Sequence, residues 1–193
     1  MQGMRSRLTG PDALTVARIP LAFALVAMAP HRGVALALFT AGCATDVADG
    51  WWARRSGTAS ERGARLDSVA DTVFFAAAAF VVLTTVELPL VPALAAGAGI
   101  VAATRAANLA VTRRRFRRWS VMHTDLNRAS GAALAVVAAI GLTQGQLSLP
   151  VLLAVIVIAQ LAATEELTIV STSPSYHPDN RGLLRATIAR AIR

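Results

Sequence analysis

The sequence predicts an all-α integral membrane protein of six transmembrane helices, with both termini cytoplasmic and a polar cavity facing the cytoplasm. Three observations predict it. Of the 193 residues, 55% are hydrophobic and only 16% charged, where soluble domains carry roughly 25% charged residues. The apolar residues come in blocks of about twenty, the length that crosses a ~30 Å hydrocarbon core. The basic side chains are all arginine, and they gather at one set of block ends.

The first span, about 13–30, reads ALTVARIPLAFALVAMAP, with Pro20 as an internal kink that neighbouring helices accommodate. The second, about 33–56, opens with GVALALFTAGCAT. Its purely apolar part is too short to cross a bilayer, so the helix must continue through Asp46 and Asp49. The third covers about 60–86 and is preceded by TASE, where Thr58 as N-cap and Glu61 three residues on make a capping box worth about 1 kcal/mol. The fourth, about 90–112, is rich in Ala and Gly, as closely packed membrane helices are. The fifth runs about 128–144 and the sixth about 150–171. Residues 1–12 then form a cytoplasmic juxtamembrane segment, 13–171 the six-helix transmembrane domain, and 172–193 a basic cytoplasmic tail. The end of that tail, RGLLRATIARAIR, suits a surface of anionic headgroups.

Arginine placement sets the orientation. Arg5, Arg7 and Arg18 lie at the start of the first span, and Arg54, Arg55, Arg62 and Arg65 surround the second connection. Arg113, Arg114, Arg115, Arg117, Arg118 and Arg128 belong to the fourth connection, and the opposite side has Arg32. By the positive-inside rule both termini and the second connection are cytoplasmic. The same rule explains the net charge of +8 without nucleic acid. The first span lacks a small-residue cleavage site and is followed by others, so it does not read as a signal peptide. The single cysteine, Cys43, excludes an intramolecular disulfide framework. No internal repeat supports an inverted-repeat transporter.

Against this background, DVADGWWARRSGTASERGARLDSVAD, from Asp46 to Asp71, stands out. On one helix Asp46, Asp49, Gly50, Ala53 and Arg54 share a face roughly 140° wide. On the next, Gly63, Asp67 and Asp71 make a single stripe. A short turn joins the two helices as antiparallel neighbours, so their stripes can face each other and bring four carboxylates to one volume. Four aspartates at membrane depth cost roughly 10–14 kcal/mol on insertion scales, less near the interface. Arg54 supplies one positive charge, which is too little. Two divalent cations would supply four, and hard oxygen ligands suit Mg²⁺ or Mn²⁺. Such ion pairs, about 3.5–4 Å apart, serve displacement at phosphorus.

This stretch resembles the signature of the CDP-alcohol phosphatidyltransferase family, D-x2-D-G-x2-A-R-x8-G-x3-D-x3-D, and fills every fixed position of it. The six spans and the cytoplasmic site agree with that family. The resemblance implies transfer of a phosphatidyl or similar phosphoalcohol group from a CDP-alcohol to an alcohol, with release of CMP, in phospholipid biosynthesis. It implies Asp46, Asp49, Asp67 and Asp71 as metal ligands, with Asp71 also the general base. It assigns Gly50, Ala53, Arg54 and Gly63 to the nucleotide, and it implies a homodimer. Glycine permits close backbone approach, and arginine makes charge-assisted bonds to phosphate. A compact, bacterial-looking chain points to CDP-diacylglycerol as donor and to a bacterial cytoplasmic membrane as location.

Other features are less specific. GPDALTVARIP resembles the family's opening of its first helix through Pro11, Thr15 and Arg18, with Asp12 in place of the usual asparagine. Asp12 is then an N-cap or a pocket contact. Arg105 and Asn108 share a face of the fourth span; Arg105 either snorkels or binds an acceptor bearing phosphate. His123 and Arg128, in HTDLNRASG, either border the acceptor pocket or belong to a solvated loop. Glu165 and Glu166 point about 100° apart; one binds a polyol hydroxyl, pairs with Arg105 or sits at the interface. Trp51 and Trp52 fit the inner aromatic belt. Glycerol 3-phosphate, an inositol phosphate and serine are the acceptor candidates, with a slight preference for a phosphorylated polyol. Two other functions fit the sequence less well. A divalent-metal transporter would continue the acidic path outward, but GVALALFTAG and FFAAAAFVVL offer no acid. A non-catalytic scaffold would have little use for four intact aspartates.

Overall fold

The computed structural model describes residues 10–56, 61–89, 92–118, 121–122, 124–176 and 182. Thr58, His123 and residues 183–193 lie outside the described residues, as do the side chains of Pro11, Asp12, Ala53, Arg54, Glu61, Arg62 and Arg65. Six helices follow one another: α1 Gly10–Ala27, α2 Arg32–Ser56, α3 Glu61–Thr85, α4 Pro92–Phe116, α5 Asp125–Gln144 and α6 Leu149–Thr172. Among the described residues there is no strand, only a single parallel bridge between Glu87 and Gln146. Among the described residues, four stretches are long and apolar enough to cross a membrane: Leu66–Thr85, Pro92–Phe116, Asp125–Gln144 and Leu149–Thr172. Ala13–Ala27 is a shorter apolar helix. The 25 residues of α2 extend about 37 Å, but the charged run after Cys43 interrupts its apolar length.

The chain divides into two compact units. The first holds Met1–Glu87 and Ala138–Gln146, the second Leu88–Val137 and Leu147–Arg193.

In the first unit α1 packs along both α2 and α3, which touch each other only sparsely. The sequence led us to expect α2 and α3 face to face; α1 comes between them instead. The reason lies in three stripes of three-and-four spacing, the pattern that makes a helical seam. On α1 the stripe is Thr15, Arg18, Ala22, Leu25 and, just past the helix, Ala29, all buried. On α2 it is Ala35, Phe39 and Gly42, then Asp46 and Asp49; on α3, Asp67 and Asp71, then Phe74, Ala78 and Val81. Each stripe is apolar along one part and polar along the other. Because α2 runs opposite to α1 and α3, the three polar parts fall at the same end. Phe39 and Phe74 stack, with centroids 6.0 Å apart and planes at 14°. The Phe74 ring also lies on Gly42, where a β-carbon would overlap it. After α3 the Glu87 N–H donates to the Gly145 carbonyl at 2.9 Å. Gly145 adopts φ 75°, a left-handed conformation that glycine takes without steric cost.

The second unit is built on α4 against α6. Gly97 makes room for Ile156, and Gln160 Nε2 donates to Thr104 Oγ1 at 3.2 Å. Asn108 Nδ2 donates to the Ala163 carbonyl at 3.0 Å. At the end of α6 the Arg115 guanidinium donates to the carbonyls of Val170 at 2.8 Å, Ser173 at 3.2 Å and Ser171. That cation satisfies carbonyls left without helical partners. Met122, Ile169 and Val170 form the buried centre beneath it, with Val111, Phe116 and Tyr176 packed around.

Candidate active site

At the polar end of the first unit, α2 contributes Asp46 and Asp49 and α3 contributes Asp67 and Asp71. Arg18 of α1 enters between them, and its side chain is 0% exposed. Its Nη1 lies 3.1 Å from Asp67 Oδ1 and 3.5 Å from Asp46 Oδ1, and it also pairs with Asp71. Nη2 pairs with Asp49. Thr15, one turn before Arg18, donates from Oγ1 to Asp49 Oδ2 at 2.9 Å. Among the described residues, then, one guanidinium meets four carboxylates. Asp49 is buried, whereas Asp46 and Asp67 are 41% exposed and Asp71 30%. The cluster opens on one side.

This use of Arg18 is not among the expectations from the sequence, which place Arg18 with the topological arginines and name Arg54 as counter-charge. The Arg54 side chain lies outside the described residues; among the described residues, the guanidinium in contact with the cluster is that of Arg18. A signal was present, since Thr15 and Arg18 stand three apart on α1, in the motif noted for its resemblance. Gly50 and Gly63 are half-buried on the same two helices.

Asp46, Asp49 and Asp67 each present a carboxylate oxygen, and these oxygens lie within 4.8 Å of one another. Three hard anionic oxygens so close, two of them on partly exposed residues, fit a Mg²⁺ or Mn²⁺ ion, which is bound by a few carboxylates and keeps some of its water. The donor set passes that chemical test. The four aspartates of the signature thus meet in space, from the consecutive helices α2 and α3. The CDP-alcohol phosphatidyltransferase family model matches residues 8–164, from just before α1 to within α6.

The chain belongs to the CDP-alcohol phosphatidyltransferase family.

No curated protein and no solved structure matched the chain. Membership of the family brings phospholipid synthesis from a CDP-alcohol and an alcohol acceptor, carried out by an integral membrane protein. Divalent metal use is a family property as well, and the acidic group of this CDP-alcohol phosphatidyltransferase matches it.

The remaining residues singled out from the sequence belong to the second unit. Glu166 is buried there, accepting the Met122 N–H on Oε1 at 2.8 Å. Its Oε2 accepts from Arg105 Nη1 at 2.9 Å and from Asn127 Nδ2 at 3.0 Å. The pairing of Arg105 with a neighbouring glutamate, one of three options read from the sequence, is therefore present. Asn127 Nδ2 reaches the Met122 carbonyl too, at 2.8 Å, so Glu166 and Asn127 together hold the chain between α4 and α5. Neither Asn127 nor the Met122 backbone was foreseen. Asn108 is buried one turn after Arg105, and Arg128 is exposed on α5. Glu165 lies beside Gly182. Trp51 and Trp52 are exposed, as an aromatic belt requires, with the Arg55 guanidinium 5.4 Å from the Trp51 ring centroid.

Proposed function

We propose that this enzyme transfers the phosphatidyl group of CDP-diacylglycerol to a small alcohol, releasing CMP, with Mg²⁺ or Mn²⁺ held by Asp46, Asp49 and Asp67. One observation carries the reading: carboxylates from α2 and α3 converge within 4.8 Å inside the family-matched segment. When bound, two such ions would neutralise the diphosphate and stabilise CMP as leaving group.

The chain's own groups supply the rest. Asp71, partly exposed at the mouth of the cluster, takes the proton of the acceptor hydroxyl. The acceptor oxygen then bonds to the phosphorus that carries diacylglycerol, and the bond from that phosphorus to the bridging oxygen of CMP breaks. Asp71 works mainly through position, because α3 holds it one turn after Asp67. Gly50 and Gly63 leave room for the nucleotide beside the acids, and Arg54 contributes charge to its phosphates.

For the acceptor, glycerol 3-phosphate or an inositol phosphate suits a chain so rich in arginine, with Arg105, Asn108, His123 and Arg128 as its sequence-derived candidates. The arginine distribution supports a site on the cytoplasmic side of a bacterial membrane, and family resemblance supports a homodimer. The test is CMP release by purified protein with Mg²⁺ or Mn²⁺ and CDP-diacylglycerol. Glycerol 3-phosphate, inositol 1-phosphate, inositol and serine are supplied singly, with a no-acceptor control. CMP and a new lipid with one acceptor establish the reaction. Silence across the panel, with folded protein and bound metal, points to another donor or another acceptor.

A further inference from the structure

We propose that Arg18 is a built-in competitor of the divalent cation: its guanidinium holds the oxygens that the metal needs and gives them up when metal binds. The inference rests on the metal assignment to Asp46, Asp49 and Asp67 made above.

Three features of Arg18 lead to it. Its guanidinium is in reach of each of the three candidate ligands, through the Oδ1 of Asp46 and Asp67 and the Oδ2 of Asp49. A guanidinium and a metal ion cannot both sit among the same few oxygens at contact distance, since like charges repel and the space is shared. Secondly, its Nε is buried without a hydrogen-bond partner among the described residues. Among those residues the polar contacts of the head group are thus with the carboxylates that the metal would take. Thirdly, Thr15 Oγ1 donates to the very oxygen of Asp49 that Arg18 Nη2 contacts. When the guanidinium withdraws, that buried carboxylate keeps a donor and its orientation.

The arrangement has a use. Four carboxylates on two helices that scarcely touch repel one another, and Arg18 gathers them in a geometry close to what a metal requires. Once displaced, the guanidinium finds a new anionic partner in the diphosphate of the donor. Metal and donor then bind with positive coupling, each raising the affinity for the other by the same factor.

The experiment uses full-length protein in detergent, without substrate, and titrates Mn²⁺ while the free ion is followed by electron paramagnetic resonance. Arg18→Met should bind Mn²⁺ about tenfold more tightly than wild type or better, because a competing charge has gone. Arg18→Lys, which keeps the charge but loses the fork that spans four carboxylates, should fall between. Asp67→Asn should lose saturable binding. A second readout separates displacement from simple charge repulsion. In wild type, phenylglyoxal should spare the buried Arg18 without metal and modify it several-fold faster in saturating Mn²⁺, read by peptide mass spectrometry.

Unchanged affinity in Arg18→Met, or an Arg18 equally protected with and without Mn²⁺, overturns the proposal while the metal assignment stands. Wild-type affinity in Asp67→Asn brings down the metal assignment itself. If Arg18→Met does not run as a single species on size exclusion, Arg18→Lys and the wild-type labelling decide the matter.

Discussion

Among the described residues two ionic clusters stand out, one in each unit, and they are built on opposite plans. In the second unit one carboxylate, Glu166, meets one guanidinium, an amide side chain and a backbone N–H, and is almost wholly buried. Its charge is balanced and its lone pairs are used, so it needs nothing more. Among the described residues of the first unit four carboxylates share one guanidinium, and three of them remain partly open to the outside. A surplus of negative charge beside hydrocarbon is costly, and a purely structural cluster would remove it. The contrast teaches where to look for chemistry: a balanced polar network holds chain segments together, while an unbalanced, partly open one is prepared for ligands that bring the missing charge.

The strongest way to break that comparison is at Asp71. Asp71→Asn should lower CMP release by about 10²–10⁴-fold, the range that general base catalysis contributes, while CDP-diacylglycerol binding persists. Turnover close to normal would remove Asp71 from the chemistry. Next comes Glu166→Ala, which strands Arg105, Asn127 and the Met122 N–H. Because Arg105 is about a third exposed, the loss should sit near the low end for a broken buried pair, about 3 kcal/mol in thermal unfolding. If this variant instead lost activity at full stability, the second cluster would be functional and the contrast would fail.

A metal titration sharpens the difference. Mn²⁺ at 100 times its dissociation constant should stabilise the wild type by about 2.7 kcal/mol. Asp67→Asn should show no such gain, and Glu166→Ala should keep all of it. The smallest effect concerns the apolar support of the first cluster. Gly42→Ala pushes a β-carbon into the buried Phe74 ring and should cost about 1–2 kcal/mol, with Mn²⁺ affinity unchanged to within a few-fold. A large loss of affinity there would mean that the α2–α3 spacing is set by this contact rather than by α1.

Much of this was legible in the sequence, and for identifiable reasons. The six helices could be read because apolar blocks of bilayer length leave a chain few other choices. Their observed ends lie within a few residues of those expected. The gathering of Asp46, Asp49 and Asp67 could be read because helical spacing fixes which side chains share a face. Pairing of Arg105 with Glu166 was in sight as one option among three, because the partners lie 61 residues apart and nothing local chooses between them.

Arg18 was misjudged for a related reason. By itself it looks like any arginine at a helix end, and its hydrogen-bond partners lie 31, 49 and 53 residues away. Local sequence thus determined the helices, the stripe on each and the residues bearing the acids, because these follow from a periodicity that every turn of helix obeys. Tertiary structure alone decided that α1 stands between the two acidic helices and that its arginine becomes their common counter-ion. That choice depends on how three seams fit together, and the fit of surfaces brought together from distant parts of a chain is written in no one of them.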